Sequence, residues 1–530
     1  MSVFPLENPS IGNITIPEGT YVTPADLSAS FGKPTGADNG YVLIMTALVQ
    51  LMTPGVAFFY GGLVGERAVV NTMMLSFGCM GVVTVLWGLI GYSMAFGPVA
   101  PIAKWIGDNA LAAPAAISST RVIGNNQLAL FSFLDNLRQN GWLDASGAYV
   151  TWTAEGPLTP SYFSISEQTY AMFQLMFAII TPALISGAVV GKIKFNWFML
   201  FVALWHLTVY CPLAHWIFFY DGWLFTYGVL DFAGGLVVHC ASGVSALVLT
   251  WLLGSRGRKH TEPHSIPYVL LGSAMLWFGW FGFNAGSALG AGAGNQAAKV
   301  FVNTQFGAAM SMVTWAFLEV AFGNLDDGYF KGRPTAIGAA TSCIVGLVGI
   351  TPACAYVTPM WALGIGFLTA IPCFFAPRLV KYCGIDDRLD CFAFHGVGGI
   401  TGALLTGLFA TDFAPPSTVR GAFYFNAPQF GIQIVGVLVT ILLSIIGTTV
   451  IFYVMIALAY LLKTDIRIPE EHSDDIDVSQ HGETAYKANV DKSFTTIYKE
   501  GSVALRIPQS TAETAPNPIT VKSETDEPAA

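Results

Sequence analysis

Hydrophobic residues in this chain fall in long unbroken runs, not in the alternating or one-faced patterns of water-soluble folds. Eleven runs stand out, at 41–63, 72–96, 165–190, 195–218, 231–254, 265–289, 298–322, 336–350, 358–375, 390–410 and 429–462. Many reach the roughly 20 residues that a helix rising 1.5 Å per residue needs to cross a hydrocarbon core of about 30 Å. Backbone amides in lipid must be satisfied within their own segment, so the runs predict an all-α polytopic membrane protein. Residues 98–163 are polar and broken by Gly, Pro and Asn, which predicts an outer loop instead of a span. Charge returns after Leu462, and the chain ends in a Ser, Thr, Glu and Pro-rich stretch expected to be disordered. The pattern divides the chain into an extracellular segment 1–40, a transmembrane domain 41–462 and a cytosolic tail 463–530.

Composition supports the same class. Of 530 residues 53% are hydrophobic and 11% charged, against about a quarter charged in ordinary soluble domains. The net charge of −9 sits largely in the two polar ends and indicates no nucleic-acid partner. Eight Cys lie singly, without CxxC spacing, and read as packing residues. The polar start, with Pro5, Pro9, Pro17 and Pro24, lacks the basic start and apolar core of a signal peptide.

Basic residues fix an orientation. With the N-terminus outside, short inner loops hold Arg67, Lys192, Lys194, Arg256, Arg258, Lys259, Lys331, Arg333, Arg378, Lys381 and Arg388, whereas the longer outer segments hold few. The positive-inside rule therefore favours an outer N-terminus and a cytosolic C-terminus, in a multi-pass protein of the plasma membrane. Asn13-Ile14-Thr15 is a glycosylation sequon on the same outer side.

Ten of the helices form two sets of five. An odd number per half places the halves in opposite orientation, a pseudo-two-fold inverted repeat with one extra C-terminal helix. Matching marks occur in both: Asp231 opens a span that carries His239, and Asp390 opens one that carries His395. Neither half holds a GxxxxGKS phosphate loop, so ATP-driven transport is unsupported. The run from Gly286 to Gly294 follows a membrane helix, not a strand, and reads as a turn.

Four ordered motifs carry a resemblance. They are Pro54-Gly-Val-Ala-Phe-Phe-Tyr-Gly-Gly62, Asp231-Phe-Ala-Gly-Gly-Leu-Val-Val-His239, Phe278-Gly-Trp-Phe-Gly-Phe-Asn-Ala-Gly-Ser287 and Asp390-Cys-Phe-Ala-Phe-His395-Gly. From about Tyr41 to Tyr486 the chain resembles the ammonium transporter family, Amt/Mep/Rh, and is most similar to the Amt/Mep-type permeases. The resemblance implies a homotrimer with one pore per subunit, ammonium and methylammonium as substrates, an outer cation site, a stacked Phe gate and a pair of pore histidines. It implies no cofactor, no metal and no enzyme activity.

Elementary chemistry fits such a pore. Stripping water from an ion without replacement costs tens of kcal/mol at low dielectric. Removing a proton from an amine near pH 7 costs only about 4 to 5 kcal/mol. Ammonium can shed its proton and cross as ammonia, and potassium cannot. Imidazole hydrogen-bonds ammonia and relays protons near neutral pH, which is why His239 and His395 head the candidates. Eight residues below Asp231 span about 12 Å and five above Asp390 about 7.5 Å, so the two rings meet only if both helices start recessed.

The remaining site residues follow from motif position. Phe173 and Phe177 share one helix face, four residues apart. Phe177 and Phe283 match the family's gate, and Phe173, Phe218, Asp231 and Ser287 match its outer site, with Trp280 near the pore. Where the family usually has Trp, this chain has Phe218, a weaker cation-π partner that Trp216 or Trp223 would have to replace. Asp231 can cap its helix and lend negative field to a cation, with capping the larger role, and Asp390 reads as a cytosolic cap. Beyond the last helix, 467–471 and 477–483 resemble the family's regulatory segment, and Ser479 stands where some relatives carry a phosphorylated Thr, which implies a kinase. Competing readings are an ammonium sensor with little flux, a gas or urea channel, and a haem protein using His206, His215, His239 and His395.

Overall fold

The structure, a computed structural model, describes residues 35–97, 165–219, 222–255, 262–291, 296–323, 332–413, 419–472 and 474–486, with two short strand pairs. Asn13 and most of the loop 98–163 lie outside the described residues, as does 505–530. The spans are α1 (Gly36–Leu63), α2 (Glu66–Phe96), α3 (Glu167–Val189), α4 (195–218), α5 (Gly235–Leu253) and α6 (Ile266–Gly286). They continue as α7 (Gln296–Phe322), α8 (Ala336–Ile350), α9 (Pro359–Tyr382), α10 (Phe392–Phe409) and α11 (Ala427–Leu461).

Ten of these, among the described residues, are long and apolar enough to cross a membrane. The eleventh expected run, α8, has 15 residues and reaches only about 22 Å. Irregular backbone then carries the chain on. It survives inside the protein because side chains satisfy it: Asn303 Nδ2 donates to the carbonyls of Cys354 and Val357, at 2.8 Å each, and Lys299 Nζ donates to Ala355 O at 2.7 Å.

Helix starts follow local capping. Thr35, Ser166, Ser265 and Thr335 each accept, through the side-chain oxygen, the amide three residues on. Because Thr35 caps α1, this helix begins at Gly36, inside the segment 1–40 and ahead of the apolar run that starts at Tyr41. Capping is set by a polar turn that the apolar pattern does not register. Helix α9 likewise runs seven residues past its expected end, through Arg378 and Lys381, since hydrogen bonding continues where apolarity stops.

Packing repeats between the two halves. Helix α1 packs on α2 and α3, α2 on α3 and α4, and α3 on α5; α6 packs on α7 and α8, α7 on α8 and α9, and α8 on α10. Helices α1 and α6 pair with each other, and the first turns of α5 and α10 pack reciprocally on each other's helix. Helix α3 is almost wholly buried, whereas two thirds of α11 is not, with Leu438, Leu442 and Ile446 exposed. In lipid such a face needs no protein cover.

The tail begins as part of the same unit, which extends to Glu483. Residues 466–468 pair with the α3–α4 loop, Lys194 N donating to Ile466 O at 3.0 Å and Ile468 N to Lys192 O at 2.9 Å. A short helix, Ile476–His481, then sets the Asp477 carboxylate on the start of α2, where it accepts Val70 N at 3.0 Å and Asn71 N at 2.8 Å. Burial pushes the Asp477 carboxyl up and those amides pull it part of the way back. Gln480 Oε1 accepts Phe195 N at 3.1 Å, and His481 Nε2 lies 3.1 Å from Asn71 Oδ1, its pKa lowered chiefly by burial. The second unit, 484–530, holds an antiparallel strand pair, Ile497–Lys499 with Ser502–Ala504.

Seven of the eight Cys are buried and unpaired, in keeping with packing roles, and Cys383 is exposed.

Candidate functional site

Helices α5 and α10 both start inside the protein. At α5, Asp231 is buried and both its oxygens are occupied: Oδ1 accepts from Gly234 N (2.9 Å) and Gly235 N (2.6 Å), Oδ2 from Leu236 N (2.8 Å) and Val237 N (3.1 Å). Four orphan amides of a helix start are thus met by one carboxylate. At α10 the cap comes from a residue the motif reading passed over, buried Asp387, whose Oδ2 accepts Phe392 N at 2.8 Å. Asp390 takes part through its backbone, at φ 55°, its carbonyl accepting Phe394 N at 3.1 Å.

Each helix opens on a π-helical turn, Gly235–Cys240 in α5 and Phe392–Gly396 in α10, and each turn carries one histidine. Such turns shift side-chain direction and recur at functional sites. Small residues let the two cross closely: a Cβ on Gly243 would overlap the backbone of Gly396, and one on Gly399 would press on Gly235 O and Cys240 N. The recessed starts and the close crossing bring His239 and His395 together, ring centroids 5.4 Å apart and planes within 16°.

His239 is also stacked on Trp280, at 5.2 Å and 17°. The Trp280 indole is held by Thr351, its Nε1 donating to Oγ1 at 2.9 Å. Neither ring nitrogen of His239, nor Nδ1 of His395, has a hydrogen-bond partner among the described residues. A direct hydrogen bond between the two rings, as a relay pair would suggest, is therefore not formed; they meet face to face.

The two imidazoles line a cavity with Val56, Tyr60, Ile180, Trp280 and Phe394. Its volume, about 10 Å³ for the centre of a water-sized sphere, holds about one such molecule. Tyr60 stood in the first motif unmarked. Its hydroxyl donates to Leu184 O at 3.1 Å and lies 3.4 Å from Cys391 Sγ, tying α1 to α3 and to the start of α10.

Next to His239 the aromatic residues form a plug. Phe177 and Phe283 are stacked at 4.2 Å and 25°, and Phe283 lies 5.9 Å from His239. Phe173 meets Phe177 edge-on at 5.0 Å, and Phe218 does so at 6.5 Å. All but Phe218 are buried. Trp216 and Trp223, the alternatives to a Trp at 218, pack edge-on against each other at 5.7 Å. Ser287 ends α6 with its hydroxyl donating to Phe283 O at 2.9 Å, which leaves its lone pairs as acceptors. Ser479 lies in the docked tail helix, donating to Ile476 O at 3.0 Å.

His215 and His206 stand apart from this path. His215 Nδ1 is 2.9 Å from Ala95 O, and His206 stacks on Tyr210 in a third π-helical turn, in α4.

Comparison with known proteins gives a concordant result. The Ammonium Transporter Family profile matches residues 40–486. The ammonium transporter of Mycobacterium tuberculosis (strain H37Rv) is 38% identical over 486 residues, covering 86% of this chain and 91% of its own. That of Bacillus subtilis is 36% identical, covering 85% and 98%. Among solved structures, Saccharomyces cerevisiae Mep2 matches at 30% identity and a TM-score of 0.67, over 82% of this chain and 88% of that one. Candida albicans Mep2 matches at 29% and 0.68, over 84% and 89%. The helical membrane fold, the profile and these relatives together establish that this chain is a multi-pass membrane protein belonging to the ammonium transporter family.

Proposed function

We propose that the chain captures ammonium at an outer site, deprotonates it and conducts ammonia through the path lined by His239 and His395. The observation that carries this reading is the cavity for about one water-sized molecule beside a stacked imidazole pair, where three buried ring nitrogens have no protein partner. Unmet buried nitrogens cost free energy unless a hydrogen-bonding guest meets them, and ammonia both donates and accepts. The Phe177–Phe283 stack bars a hydrated ion, so only a species that sheds its charge gains from the path.

At the outer site Ser287 Oγ, Phe173 and Phe218 meet the cation. Asp231 acts through its field, since four amides already occupy its oxygens. Trp280 holds His239 in orientation and excludes water. The N-terminal segment, with a glycan at Asn13, lies outside; the tail from 463 lies in the cytosol; the setting is the plasma membrane and the assembly a homotrimer.

A kinase acting on Ser479 would place negative charge on the helix that seats Asp477. That docked helix also favours a second, signalling role, in which the tail reports the state of the pore. Purified protein in liposomes, with methylammonium uptake, potassium flux and current recorded together, tests the main reading. Uptake with little potassium flux is expected. Comparable potassium flux under an equal gradient would sink it.

A further inference from the structure

Two helices bring Phe173 and Ser287 of the proposed outer site to the aromatic stack, α3 with Phe173 and Phe177 and α6 with Phe283 and Ser287, so their geometry depends on what holds the ends of these helices at one spacing. The first turn of α1 touches both. Asn39 Oδ1 accepts two hydrogen bonds from the start of α3, Ser166 N and Thr169 Oγ1, each at 2.9 Å. Thr169 stands one helical turn before Phe173. Asn39 is itself held by Nδ2 donating to Thr35 O at 3.1 Å.

The same turn brackets Ser287. Tyr41 donates to Ala285 O at 2.8 Å, two residues before it, and Asp38 Oδ1 accepts Ala291 N at 2.8 Å, four residues after it. Asp38 Oδ2 accepts Thr35 Oγ1 at 2.8 Å, and Thr35 Oγ1 accepts Asp38 N at 3.0 Å, which closes the turn on itself. The bracketed segment needs such support: α6 ends at Gly286, and Leu289 adopts φ 56°, a left-handed conformation that costs a branched residue free energy. The three helices converge at Gly286, where an added Cβ would press on the Phe173 ring and on Met45 Cβ of α1.

We propose that residues 35–41 are a clamp that fixes the spacing of α3 and α6, with Asn39, Asp38 and Tyr41 as positioning residues for the aromatic gate and the Ser287 turn. The clamp rests on the outer-site reading above. Each hydrogen bond contributes modestly by itself, yet a displacement of α3 against α6 opens the 4.2 Å Phe177–Phe283 stack, so the loss appears in recognition and selectivity as much as in stability.

Full-length protein in liposomes tests this through methylammonium uptake against concentration, potassium flux and thermal unfolding, with the parent establishing first that transport occurs. Failure of the parent breaks the transport reading; the clamp is judged on differences from a working parent. Asn39→Ala removes the acceptor on α3 and is expected to raise the half-saturating concentration threefold or more and to raise potassium flux. Asn39→Asp keeps the acceptor for Ser166 N and Thr169 Oγ1 but loses the donation to Thr35 O, so it should fall between the parent and Asn39→Ala. Tyr41→Phe, which deletes only a hydroxyl, should move in the direction of Asn39→Ala by a smaller step. Parental half-saturation and potassium exclusion in both Asn39→Ala and Tyr41→Phe would overturn the clamp, as would a loss confined to maximal flux in proportion to folded protein. Should Asn39→Ala not fold, Tyr41→Phe decides by the same criterion.

Discussion

His239 and His395 face each other ring to ring, 5.4 Å apart and within 16° of parallel, with no hydrogen bond between them. On the proposed conduction path, a guest molecule would supply the hydrogen bonds that both nitrogens of His239 and Nδ1 of His395 lack among the described residues.

That arrangement predicts the response to truncation. His239→Ala and His395→Ala should each reach the membrane and lose at least tenfold in methylammonium flux or change its coupling to protons. The two sites share one cavity, so the double variant should fall well short of the product of the single effects. Uptake, current and potassium flux in parallel make the measurement, and normal selective flux in both single variants would refute the assigned roles.

A second prediction concerns the aromatic plug. Phe177→Ala removes one ring of a stack and opens space beside Phe173 and Phe283. Potassium flux, near background in the parent, should rise several-fold while the protein stays folded. Unchanged exclusion of potassium would show that the stack is packing and not a barrier.

The tail gives a third. Ser479→Asp adds negative charge within the turn that carries Asp477, so it should act on docking in the same direction as Asp477→Ala, which removes the contact to Val70 and Asn71. Both should shift transport the same way at equal surface abundance, with Ser479→Ala near the parent. Opposite shifts, or none, would remove Ser479 as a switch.

The fourth is a pH dependence of that docking. Burial lowers the pKa of His481 against the pull of Asp477 and Glu483, so the docked state binds fewer protons than a free tail. Docking stability is then fully present above the free histidine value of about 6.5 and is lost as pH falls through it. Asp477 has the opposite sign: its raised pKa makes docking weaken as pH rises above the ordinary carboxylate value. Protease sensitivity of the tail, scanned from pH 7.5 to 5.5, should rise in the parent and stay flat in His481→Gln.

A fifth follows from Lys192, which is buried with Nζ donating to Thr250 Oγ1 at 2.6 Å and Asp386 O at 2.5 Å, and 3.4 Å from Asp386 Oδ2. It joins the α3–α4 loop, the end of α5 and the loop before α10. Lys192→Ala removes the buried ammonium that joins these segments, while Thr250 Oγ1 keeps its own bonds to Asp386 O at 2.7 Å and Ala188 O at 3.0 Å, so the cost is about 1 to 3 kcal/mol. Thermal unfolding of the purified protein should show a clear drop, and an unchanged midpoint would contradict the account.

Apolar run length alone determined the helical membrane class and most spans, because lipid obliges every crossing segment to satisfy its own backbone. Motif order pointed to His239, His395, the Phe173, Phe177 and Phe283 set and Ser287, since these residues occupy fixed places along their helices. Asp231 was legible as a cap because its carboxylate serves amides three to six residues away. What lay beyond the sequence was set by contacts between distant segments. Rings on α5 and α10 meet because both helices start recessed and cross at glycines, and no run of residues encodes that depth. Asp387 replaces the expected carboxylate at the α10 start, where the turn bends Asp390 to positive φ. The clamp at Asp38 and Asn39, the Tyr60 and Lys192 junctions and the seat of Asp477 on α2 join residues more than fifty positions apart. Their side chains looked like ordinary solvated or core residues until tertiary packing supplied their partners.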